Sequence, residues 1–166
     1  VDRFQRRIYS GIRPLLHDFR TLLARRSLIR SVMRDKQPDP AFRERLMLVV
    51  TGVNGCRYCS YVHARAALEA GISPEQIEAL GAAQFFGSPI EELPALLYAQ
   101  HWAEADGHPT PEVRQRIRRQ YGDGHVERIE TVLLMIRVGN LVGNTFDYLL
   151  HRISLGRWGD RAAGGS

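Results

Sequence analysis

Cys56, Cys59 and His63 have the types and the spacing for thiol chemistry. The two cysteines are the only ones in the sequence; they stand three positions apart, with the histidine four further on. At about 100° per residue, a helix carries all three on one narrow stripe, two thiols beside an imidazole. The nucleophile in such chemistry is the thiolate, which a helix N-terminus and a neighbouring imidazole both favour. Asn54 or Gly55 is the expected cap of a helix beginning near Cys56, which places that cysteine in the first turn. His63 can take or return a proton, and the second cysteine gives a sulfenic acid or mixed disulfide an internal partner. Two readings compete: a pair of buried inert cysteines, and a zinc site from Cys56, Cys59, His63 and Glu44. Thiolate, imidazole and carboxylate all bind zinc, but closely spaced ligands on one helix face make a poor tetrahedron.

The elements that must hold this stripe read as helices. Asp39 and Pro40 are the N-cap and first residue of one, with Phe42, Leu46, Met47, Val49 and Val50 on its buried side. It is expected to stop at Thr51-Gly52-Val53-Asn54-Gly55, whose glycines permit a left-handed cap. The cysteine helix follows and runs to Gly71. So short a turn forces the two helices to pack on each other and brings Glu44 near the base of the cysteine stripe.

The remaining segments follow the same pattern. Ser73-Pro74-Glu75-Gln76 is a capping box, and Ser88-Pro89-Ile90-Glu91 repeats its signal before a helix ending at Asp106-Gly107. Thr110-Pro111 opens another, and a last long helix, 126–153, is apolar around much of its girth, as suits a domain centre or a subunit interface. At the other end, Pro14 belongs to the first turn of the main N-terminal helix. Leu15, Leu16, Phe19, Leu22, Leu23, Leu28, Ile29, Val32 and Met33 are predicted to form its buried stripe. No segment alternates with period two, so the chain reads as all-α, an irregular bundle of six or seven helices.

At 166 residues the chain suits a single domain with a full core, and 44% hydrophobic with 25% charged residues is ordinary for a soluble protein. An Arg-rich helical segment, 1–36, is expected to pack on a helical core, 37–155, followed by a flexible tail, 156–166. No apolar run is long enough to span a membrane and no export signal precedes the first helix, so a cytoplasmic location is expected. The net charge of +5 is almost all arginine, Lys36 being the sole lysine. Residues 1–45 hold twelve Arg or Lys against five Asp or Glu. Such a segment can touch nucleic acid or anionic lipid, or simply be a solvated helix face. No nucleic-acid motif accompanies the charge, so neither a nucleic-acid partner nor membrane insertion is expected.

Glu44, eleven intervening residues, then Cys-x-x-Cys-x-x-x-His resembles the alkylhydroperoxidase D-like branch of the carboxymuconolactone decarboxylase family. Asn144-Thr145-Phe146-Asp147 is similar to the C-terminal half of that family, and the likeness covers roughly residues 40–155. It implies an all-α, alkylhydroperoxidase D-like fold, assembly as trimers or hexamers, and thiol-dependent reduction of a hydroperoxide or disulfide with no bound cofactor. An external thiol or dithiol donor then regenerates the pair. Carried over by position, the resemblance implies Cys59 as the attacking thiol, Cys56 as its disulfide partner, His63 as proton acceptor and Glu44 as the end of the relay. The local argument instead favours Cys56 as the more acidic thiol, and the sequence leaves both open. One departure stands out: the peroxidase members carry a histidine just before the second cysteine, where this chain has Tyr58, which cannot accept a proton near pH 7. Arg57 either favours the thiolate or faces solvent. Two alternatives accompany this reading: a decarboxylase-like or lactone-processing enzyme using His63, and an Arg-rich binding module whose cysteines sense oxidation.

Overall fold

The computed structural model describes residues 6–154, so the tail expected at 156–166 lies outside the described residues. Among the described residues there are eight α-helices and one 3-10 turn, with no strand. In chain order they are α1 (Ile12–Ala24), α2 (Arg26–Arg34), α3 (Pro40–Asn54), α4 (Arg57–Glu69), α5 (Pro74–Gly81), the 3-10 turn Ile90–Glu92, α6 (Leu93–Glu104), α7 (Pro111–Tyr121) and α8 (Asp123–Ile153). The count exceeds the expected six or seven because the N-terminal helix is two, interrupted at Arg25, which leaves helical geometry at φ −91° and ψ 10°. None of these helices is long and apolar enough to cross a membrane.

Local chemistry sets most of the helix starts. The Asp39 carboxylate accepts from the Ala41 and Phe42 N–H groups at 3.1 and 3.4 Å, and Ser73 Oγ accepts from Gln76 N–H at 3.3 Å. Each such cap is worth about 1 kcal/mol. Ser88 departs from its expected role: the 3-10 turn has no side-chain cap, and Ser88 Oγ instead accepts from Gln76 Nε2 at 3.4 Å.

The centre of the domain is the crossing of α3 and α8. α8 packs on α1, α2, α3, α4, α6 and α7, while α3 also meets α4, α5 and α6. Leu46, Val49 and Val50 from α3 and Ile129, Val132 and Leu133 from α8 are excluded from solvent, each stabilising the fold by about 1.5–3 kcal/mol. Leu48 is buried too, so α3 is covered on more than the single side the sequence suggested. α3 ends at Gly55, whose φ of 71° is the left-handed cap. Gly52 lies within the helix and serves a different purpose: a Cβ there would sit 2.2 Å from the Gly81 carbonyl oxygen, so α3 and α5 meet backbone to backbone.

The N-terminal apolar stripe is only partly buried. Val32 of α2 is in the core, but Leu16, Phe19 and Leu23 of α1 and Met33 of α2 are exposed. The residue α1 buries is Asp18, which accepts from the Arg137 guanidinium on α8 and, at 2.8 Å, from the Tyr9 hydroxyl. Arg137 also donates to Asp106 at 2.7 Å. Periodicity finds the apolar face of α1; the ion pair decides which face meets α8.

Candidate active site

Cys56 stands at the turn between α3 and α4 and is itself the N-cap of α4, with an extended backbone at φ −79° and ψ 100°. Neither Asn54 nor Gly55 fills that role, since Asn54 closes α3 and Gly55 is its C-cap. The reason is chemical: Cys56 Sγ is the acceptor for the Cys59 N–H at 3.3 Å, so sulfur does what a Ser or Asp oxygen does elsewhere. The first cysteine is thus placed at the positive end of the helix dipole. Both cysteines are free thiols and both are buried, Cys56 at 1% and Cys59 at 8% exposure.

The two sulfurs are in unlike electrostatic states. A hydrogen bond from the Cys59 thiol lowers the Cys56 pKa to about 7, aided by the Cys59 N–H and the Asn140 amide and opposed by burial and the Asp147 charge. Cys59 moves the other way, because its proton is held by the Cys56 sulfur and burial disfavours its charged form. As pH rises, Cys56 therefore ionises before Cys59.

His63 lies one turn beyond Cys59 on α4. Its Nδ1 is 2.8 Å from Oε2 of Glu44, so the short turn does bring the α3 carboxylate to the cysteine helix. Glu44 is buried at 8% exposure, and the His63 side chain is 20% exposed. A carboxylate on Nδ1 fixes the neutral ring as the Nδ1–H tautomer, leaving Nε2 as its acceptor. Among the described residues, no three His, Cys, Asp or Glu side chains converge to hold a metal ion.

α8 closes the site from the other side. Asn140, fully buried, donates to Thr51 Oγ1 and accepts from Asn54 Nδ2, both at 3.1 Å, tying α8 to the end of α3 beside Cys56. One turn on, a Cβ added to Gly143 would lie 3.4 Å from Cys56 Sγ, whereas one on Gly139 would meet open space. Of the two glycines only Gly143 thus brings α8 against the thiol. Asp147 pairs with Arg6 at 2.5 Å and with Arg57 Nε at 3.2 Å, so Arg57 is engaged with a carboxylate above Cys56. Tyr58 is 72% exposed.

Sequence reasoning missed Asn140 and Thr51. The available signal was an asparagine four residues after Ile136 and four before Asn144, on the otherwise apolar side of the last helix.

Residues 21–105, just over half of the chain, match the family model described as carboxymuconolactone decarboxylase family. The chain belongs to the carboxymuconolactone decarboxylase family. The family match holds Glu44, Cys56, Cys59 and His63, starts well before the resemblance read from the motif, and stops short of α7 and α8. Gly143 thus approaches Cys56 from outside the matched region. No curated protein and no solved structure gave a significant match to the chain.

Proposed function

We propose that this protein is a thiol-dependent peroxidase and disulfide oxidoreductase of the alkylhydroperoxidase D-like kind, working in the reducing cytoplasm. The observation that carries this reading is the placement of Cys56 as the N-cap of α4, its Sγ accepting from the Cys59 N–H at 3.3 Å, on the same helix as an imidazole held by the Glu44 carboxylate at 2.8 Å. The Cys56 thiolate attacks the distal oxygen of a hydroperoxide, the O–O bond breaks, and the departing alkoxide takes a proton and leaves as the alcohol. Cys59 then attacks the resulting sulfenic acid, its proton passes to His63 Nε2, and hydroxide leaves and is protonated to water. Two thiols lose two electrons to form a disulfide while one hydroperoxide becomes alcohol and water. An external thiol or dithiol returns two electrons and two protons.

Mass spectrometry after one equivalent of organic hydroperoxide tests this: loss of two hydrogens, mapped to a Cys56–Cys59 link, is expected. Unchanged mass with intact thiols would refute it. The opposite order, with Cys59 attacking, is favoured by the greater exposure of Cys59, 8% against 1%. Trapping with dimedone separates the two, since Cys59→Ser should accumulate a labelled Cys56 if Cys56 attacks first. A decarboxylase-like reaction through the Glu44–His63 pair would instead survive in the double Cys→Ser variant.

The same reading includes assembly of identical protomers, as a trimer or hexamer. Ile12, Leu16, Phe19 and Leu23 on α1 and Val142, Phe146, Leu149 and Ile153 on α8 are exposed apolar residues that a second copy would cover. Light scattering is expected to give a mass above that of one chain, and a monomer at micromolar concentration would refute it.

A further inference from the structure

Cys56 Sγ has to meet a hydroperoxide and later a donor thiol, yet the residue is only 1% exposed. It lies in a seam with the α3–α4 turn on one side and α8 on the other, where a Cβ on Gly143 would sit 3.4 Å from the sulfur. Residues 6–9, which precede α1 and belong to no helix, run along that seam. The Arg7 N–H donates to the Asn54 carbonyl at 3.2 Å, and Asn144 Nδ2 on α8 donates at 2.8 Å to the carbonyl oxygens of both Arg7 and Asn54. The Tyr9 N–H donates to Thr145 Oγ1 at 3.1 Å. The Arg6 side chain crosses the turn itself, since a Cβ on Gly55 would be 3.1 Å from its Cγ. Its guanidinium then reaches Asp147 at 2.5 Å, and the same carboxylate accepts from Arg57 Nε at 3.2 Å. Gly55 and Arg57 are the chain neighbours of Cys56, so the segment is tied down on either side of the cysteine.

We infer that residues 6–9 form a strap that gates Cys56, with Arg6 and Asp147 as its latch: closed, it seals the sulfur, and released, it admits hydroperoxide and donor thiol. The inference concerns the regulation of the site and rests on the thiol chemistry proposed above. Energetics select the strap as the moving part. Parting α3 from α8 would expose Leu46, Val50, Ile129 and Val132, all excluded from solvent, and would unfold the domain. Lifting residues 6–8 breaks one ion pair and a few part-buried hydrogen bonds, and leaves every helix intact. Tyr9 stays in place, buried with its hydroxyl on Asp18. The strap therefore has a fixed end beside α1 and a releasable end at Arg6.

Arg6→Ala separates a gate from a charge effect, because the two have opposite signs. Removing a cation near a thiol disfavours the thiolate and slows alkylation, whereas opening a gate speeds it. Reduced wild type and folded Arg6→Ala are alkylated with iodoacetamide at neutral pH, and the Cys56 peptide is followed by mass spectrometry. The variant should react about tenfold faster, and its Arg7 amide should exchange with deuterium faster by the same factor, while the Val132 amide keeps its protection. A Cys56 rate equal to that of wild type, or slower, would overturn the gate. So would an equal acceleration of Val132 exchange, which would assign the gain to loosening of the whole fold.

The wild-type protein gives an independent answer. Strap release uncovers little surface, so urea below the unfolding transition should leave the Cys56 alkylation rate nearly unchanged. A rate that climbs with urea as steeply as global unfolding would mean that Cys56 is reached only through the unfolded chain, and the gate would fall. Neither readout uses peroxide. Faster alkylation in Arg6→Ala together with no peroxide-driven disulfide would sink the proposed reaction and leave the gate standing.

Discussion

The Glu44 carboxylate on α3 holds Nδ1 of His63 on α4 at 2.8 Å across a separation of nineteen residues. The pair turns an ordinary surface-type histidine into an oriented base whose protonated form has a buried counter-charge waiting. Glu44→Gln keeps a hydrogen-bond acceptor but removes that charge. Peroxide-driven disulfide formation should slow about tenfold, while His63→Gln should slow it about 100-fold. Rapid-quench mass spectrometry of the Cys56–Cys59 peptide measures both. Wild-type rates in His63→Gln would remove the ring from the mechanism.

The reduced thiol pair should give stability an unusual dependence on pH. With the Cys56 pKa lowered from 9.0 to about 7 in the fold, the unfolded chain binds more protons between those values, so stability rises with pH across that window. The gain is at most about 3 kcal/mol. Above the ordinary thiol range the sign reverses, because folded Cys59 keeps its proton while the unfolded chain has lost both. Urea unfolding under reductant, wild type minus the Cys56→Ser/Cys59→Ser double variant, should therefore peak near pH 9. A flat difference would contradict the assigned charge state.

Backbone contact between α3 and α5 should make Gly52 intolerant of a side chain. A Cβ 2.2 Å from the Gly81 carbonyl oxygen cannot be accommodated by rotating anything, so the helices must separate. Gly52→Ala should destabilise by about 2–3 kcal/mol in chemical denaturation despite the better helix propensity of alanine. Gly143→Ala, whose nearest contact is sulfur at 3.4 Å, should fold normally.

Removing Asp18 strands a buried guanidinium and a tyrosine hydroxyl together. Asp18→Leu should cost about 3 kcal/mol, the lower end for a broken buried pair because Asp106 still holds Arg137. Asp18→Leu/Arg137→Leu should cost clearly less than the sum of the single variants. Additive losses would mean the two residues are not coupled.

The helical class, the breaks at Asp39, Ser73 and Thr110, and the pairing of Glu44 with the cysteine helix were all legible in the sequence, because each depends on interactions among near neighbours. Caps, 3.6-residue periodicity and a short interhelical turn are local facts. The sequence also fixed which residue types could do chemistry. It did not determine that Cys56 is itself a cap, that α1 is anchored by Asp18 while Leu16, Phe19 and Leu23 face outward, or that Asn140 ties α8 to Thr51 and Asn54 at the end of α3. Those outcomes depend on which surfaces distant helices present to one another. A buried amide about eighty residues from the cysteines acquires its meaning only when α8 crosses α3 and excludes water between them.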